Sequence, residues 1–152
     1  MNIVRTLRFT IKKRDYTIDY LVDNVYATLL NFKNVFQGDV IWFEQDRSKK
    51  KALQMEVLID KDYIKQIIVK NWDKKFATLG STFAFWSGKQ NDMDNYQVGF
   101  TIGLTSKNEN LNNNIYIRFP CSNASITAES IVVKQLKECI LKIWTVIDSE
   151  II

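Results

Sequence analysis

Few residues in this sequence are spaced to do chemistry, and the polar loops of its second half hold most of them. KQNDMDN carries Asp92 and Asp94, and KNENLNN carries Glu109, so three carboxylates could in principle hold a hard cation. NDMDN is too short for a calcium loop and has no later glutamate, which leaves these acids as solvated turn residues. WSGKQ sets a glycine ahead of a lysine, yet it has one glycine and misses the Gly-x-x-x-x-Gly-Lys-Ser/Thr spacing that cradles phosphate. The histidine count of 0 removes any imidazole for a serine or cysteine triad and any side chain that normally titrates near neutrality. Catalysis would have to rest on carboxylates or lysine, and no motif arranges them. An enzyme built on carboxylates would need a pocket that brings Asp or Glu residues together. A non-catalytic protein that needs no cofactor and no metal agrees with these absences without being required by them.

The remaining reactive groups are sparse. Cys121 and Cys139 allow one bridge at most, and then only if a strand end and a helix meet, so both are expected as reduced thiols. Arg47 with Lys49, Lys50 and Lys51 forms the densest basic run, and Lys12, Lys13 and Arg14 a lesser one. Neither is interleaved with aromatics that would stack bases. A net charge of +4 and a pI near 9.0 are compatible with an acidic partner but small for a dedicated nucleic-acid binder.

The elements that must position these residues follow from periodicity. RTLRFTIKKR alternates, with Leu7, Phe9 and Ile11 on one face and Thr6, Arg8, Thr10 and Lys12 on the other. From Ile18 the apolar residues recur at three-four spacing through Leu21, Val22, Val25, Leu29, Phe32 and Phe36, a helix capped by Thr17 and stopped near Gly38. DVIWFEQ and LQMEVLID are strand-like. A shorter helix from Asp60 buries Ile64, Ile67 and Ile68 and ends near Asn71 or Trp72. LGSTFAFWSG, NYQVGFTIGLTS and NNIYIRFP then form an antiparallel meander closed by Pro120. A last helix capped by Thr127 carries Val133, Leu136, Ile140 and Ile143. The expected fold is one α+β domain over 1–152, an antiparallel sheet of five to six strands with helices packed mainly on one face.

In the meander, Tyr96, Val98, Phe100, Ile102 and Leu104 share the face expected to be core. Trp86, Gly99, Gly103, Tyr116 and Arg118 share the other. Two readings of that second face stand side by side. The rings can cover the side-chain-free glycines, or Trp86, Tyr116 and Arg118 can form a partner-binding patch, since Trp, Tyr and Arg dominate interface hot spots. The four tryptophans, Trp42, Trp72, Trp86 and Trp144, fall at element ends, where a large ring seals a core edge.

The succession LGSTFAFWSG, YQVGFTIGLTSKN, NNIYIRFP and a helix reaching LKIWTV resembles the immunity protein 52 family of bacterial polymorphic toxin systems. The likeness covers roughly residues 79 to 145 and rests on Trp86 and Gly88 at a strand end, Gly103, Pro120 and Trp144. The resemblance implies an α+β protein that binds and neutralises a cognate toxin domain, often one of nuclease type, by steric occlusion. A basic nucleic-acid-associated accessory protein using Arg47 to Lys51 and Arg118 is the alternative. No apolar run is long enough for a membrane span and MNIVRTLRFT lacks a secretory h-region, so a cytoplasmic location is expected. Oligomeric state is left open.

Overall fold

The computed structural model describes residues 3–13, 16–36, 41–44, 60–87, 95–105, 111–121 and 126–152. Arg14, Gly38, the run Arg47 to Lys51, the LQMEVLID segment up to Ile59, Gly88, Asp92, Asp94 and Glu109 lie outside the described residues. The elements are β1 (Thr6–Ile11), α1 (Ile18–Val35), β2 (Phe43–Glu44), α2 (Lys61–Lys70), a 3-10 turn (Ala77–Leu79), β3 (Ser81–Trp86), β4 (Gln97–Ile102), β5 (Asn113–Arg118), α3 (Ile131–Ile143) and β6 (Val146–Ile151). The six strands form one sheet in the order β2-β3-β4-β5-β1-β6, with every neighbouring pair antiparallel.

Local signals explain most boundaries. Thr17 Oγ1 accepts the Tyr20 N–H at 3.1 Å and Asp60 Oδ1 accepts that of Tyr63 at 3.1 Å, so two helices begin where a side-chain oxygen satisfies an orphan amide. α3 starts at Ile131, later than a Thr127 cap would place it. The Thr127 N–H is taken by Ser130 Oγ at 2.9 Å, and Thr127 bridges to Ile3 in an extended conformation. Beyond Trp144 the chain forms β6 and docks on β1, an edge strand that the sequence reading did not anticipate.

Alternation along the strands sends one set of side chains to the helices. Leu7, Phe9, Ile11, Phe85, Val98, Phe100, Ile115 and Ile117 pack with Leu21, Val25, Leu29 and Phe32 of α1, Ile64 and Ile68 of α2, and Val133, Leu136 and Ile140 of α3 in one core. α1 contacts both other helices and so occupies the centre of the helical layer. Trp144 closes the core between α1 and α3, its Nε1 donating at 2.9 Å to Thr28 Oγ1, which in turn donates at 2.7 Å to Asn24 O. Thr28 is fully buried, and this chain satisfies it.

Leu104 departs from the expected pattern. It is buried, yet it lies outside the helix-side core and faces the opposite side of the sheet. Gly103 has φ +85°, which ends the alternation at Ile102. The buried Asn113 then holds the backbone of Leu104 from both sides, accepting its N–H at 2.9 Å and donating to its C=O at 3.4 Å.

Candidate partner-binding face

The side of the sheet that carries no helix among the described residues, the helix-free side, is a concavity of about 890 Å³. Its floor follows from strand register. Thr6 stands opposite Arg118, Arg8 opposite Tyr116, and Thr10 opposite Asn114 across β1 and β5. Tyr116 then faces Gly99 and Asn114 faces Thr101 across β4, while Thr101 faces Thr82 on β3. The segment after α2, with Asn71, Asp73 and Gly80, forms one wall, and Leu111 and Asn112 form part of another.

Glycine and tyrosine are fitted to each other at the centre of this floor. A Cβ on Gly99 would lie 2.0 Å from Tyr116 Cε1, so the ring occupies the volume that any other residue would need. The Arg118 guanidinium lies 5.8 Å from the Tyr116 ring centroid, within cation–π range. Burial pushes the Tyr116 phenol above its ordinary pKa, and the Arg118 charge draws it partly back. Arg118 is exposed and has no carboxylate partner among the described residues. Arg8 meets Glu150 at 3.4 Å, both side chains about half exposed, which makes this a weak, readily exchanged ion pair.

Tyr116 and Arg118 are thus brought together, and Trp86 is not with them. By alternation Trp86 belongs to this side of the sheet, but it does not line the concavity. It is 7% exposed, its Nε1 donates to Glu44 O at 3.2 Å, and its ring is tilted against Phe43 at 6.5 Å. The physical reason is β2, which pairs outside β3 with Phe43 opposite Trp86 and keeps β3 from being the edge. Trp72 takes the role of glycine cover further along. A Cβ on Gly103 would lie 2.5 Å from its Cη2, and its Nε1 donates at 2.9 Å to Ala77 O.

Sequence reasoning missed the contribution of β1. Alternation had already turned Thr6, Arg8 and Thr10 outward, but nothing local shows that β1 inserts beside β5 and brings Arg8 to Tyr116. Thr82, Thr101 and Asn114 of β3, β4 and β5 carried the same outward signal. On the helix side, a separate polar cluster joins the edge to α2: Glu44 accepts from Tyr63 Oη at 2.5 Å and from Lys70 Nζ at 2.8 Å. Burial and the Glu44 carboxylate hold the Tyr63 phenol well above its ordinary pKa. Cys121 is exposed, Cys139 is half-buried, and both are free thiols.

Of the positions that carry the family resemblance, Trp86, Pro120 and Trp144 are buried and Gly103 sits beneath Trp72. In this chain these are packing positions. No described helix is long and apolar enough to cross a membrane. In comparisons with known proteins, no family model matches this chain and no curated protein matches it.

Proposed function

We propose that this chain is an immunity-type binding protein, which neutralises a cognate toxin domain by covering it with the helix-free sheet face. The observation that supports this reading is Arg118: an exposed guanidinium without a carboxylate partner among the described residues, braced on Tyr116 in the floor of a broad concavity. A tyrosine and an arginine in a concave surface suit a protein partner, because these residue types are enriched among interface hot spots. The resemblance to the immunity protein 52 family names the class of partner. A chain of net charge +4 is a poor mimic of nucleic acid, so occlusion of a nuclease would occur away from its phosphate-binding cleft.

The test is co-production with the toxin encoded beside this chain. Rescue of growth and a stoichiometric complex are expected, and Arg118→Ala should weaken the complex by about tenfold with an unchanged melting temperature. Failure to rescue overturns the reading. Retention on DNA that falls steeply with salt would transfer the claim to the nucleic-acid-associated alternative.

A further inference from the structure

Among the described residues strand β6 forms one open edge of the sheet, and its hydrogen-bond parity fixes which backbone groups face outward. The Ile152 N–H donates to Thr6 O at 2.8 Å and the Thr6 N–H to Ile152 O at 2.9 Å. Glu150 and Asp148 follow opposite Arg8 and Thr10. In an antiparallel ladder, residues that exchange such bonds recur at every second position. The amide and carbonyl groups of Glu150 and Asp148 therefore face β1, and those of Ser149 and Ile151 face away. Among the described residues β6 pairs with β1 alone.

The side chains on this edge are also uncovered. Ser149 and Ile151 stand on the helix side, opposite Phe9 and Leu7, yet Ile151 is 43% exposed while Leu7 is fully buried. Asp148 and Glu150 stand on the other side and are exposed. Glu150 is shared with Arg8, and Asp148 has no ion-pair partner among the described residues. A register shift at Thr10/Ile11 leaves Ile147 as a bulge, 62% exposed.

A second copy of the chain is a poor occupant. Antiparallel registers that bond Ser149 to residue 147, 149 or 151 of another copy set Asp148 against Asp148, Asp148 against Glu150, or Glu150 against Glu150. Like charges directly opposite each other in a sheet are destabilising. The same geometry favours a strand with cations at those positions. We infer that β6 is a docking edge for an extended segment of a partner protein, in which basic residues meet Asp148 and Glu150 and alternate with apolar residues that cover Ile151. Main-chain bonds to Ser149 and Ile151 would supply affinity and the two carboxylates selectivity. The docking edge is defined by β6 and not by the proposed toxin-neutralising role, although Glu150 is shared with Arg8 of the concave face.

The experiment is residue-resolved amide exchange on the full chain with two short synthetic peptides, one alternating lysine and valine, the other glutamate and valine. The lysine peptide should slow exchange at Ser149 and Ile151, leaving the already bonded Asp148 and Glu150 little changed, and the glutamate peptide should not. Asp148→Lys should weaken the lysine peptide by about tenfold. Ser149→Pro removes an outward donor without touching the β1 ladder, and should abolish binding while the melting temperature holds. If the lysine peptide protects neither amide, the acids merely guard the edge against aggregation and the inference falls. Equal protection by both peptides, or binding that survives Ser149→Pro, overturns it as well.

Discussion

Replacing Trp86 by alanine separates a packing role from a recognition role at the position where the sequence left both open. With the ring 7% exposed, its removal forfeits nearly a full indole of burial and leaves a cavity between β3 and β2. Aromatic truncations of this kind cost about 3–5 kcal/mol. The lost Nε1–H bond also strips Glu44 O of a donor, and a buried carbonyl left so adds to the upper end of that range. For a domain of this size about 2–4 °C follows each kcal/mol, so the melting temperature should fall by about 6–20 °C. Urea unfolding should show a lower midpoint with an unchanged slope. Trp86→Phe keeps most of the ring and loses only the donor, so its loss should be about 1–2 kcal/mol. A Trp86→Ala variant whose melting temperature moves by less than about 2 °C while partner binding collapses would refute the reasoning and return Trp86 to the interface.

Three further outcomes follow from the geometry. Gly99→Ala should drive the Tyr116 ring off the sheet and unseat Arg118, lowering partner affinity by more than its stability cost of about 1–2 kcal/mol, as titration calorimetry and thermal melts together would show. Gly80→Ala should be harsher, costing at least about 2 kcal/mol in urea unfolding, because the residue sits at φ +67° and its Cβ would lie 2.1 Å from the immovable Ile102 carbonyl oxygen. Tyr63 contributes stability that is whole below the phenol's unfolded pKa of about 10 and is lost as pH rises toward its higher folded value. The stability gap between the native chain and Tyr63→Phe, measured by urea titration, should therefore narrow above pH 10 and stay constant from neutrality to about pH 9.

Periodicity carried the reading of the sheet meander and of α1 and α2 because each buries a single regular face. Thr17 and Asp60 marked helix starts through chemistry that acts within one turn. The misplaced start of α3 and the unforeseen β6 have a different origin. Thr127 is captured by a bridge to Ile3, and Val146 to Ile151 are largely exposed, so no alternation marks a strand that only β1 can template. The candidate site was legible to the same degree. The outward turn of Tyr116, Arg118 and Arg8 is written locally in two strands, β5 and β1, whereas their convergence depends on strand order. For Trp86 alternation left packing and recognition both open, because it gives a face and says nothing of what a neighbouring strand lays across it.

The insertion of β1 between β5 and β6 has a consequence for how the chain reaches its fold. Arg5 bonds Cys121 O across 116 positions and Arg8 meets Glu150 across 142, so β1 is held by segments far from it in sequence. The β3–β4–β5 meander can form from near neighbours, but Leu7, Phe9 and Ile11 must wait for distant segments, and closing such long loops slows folding. During that interval an apolar strand is available for mispairing. Without β6, one side of β1 would stay unpaired, and an unpaired strand edge favours mispairing with another chain.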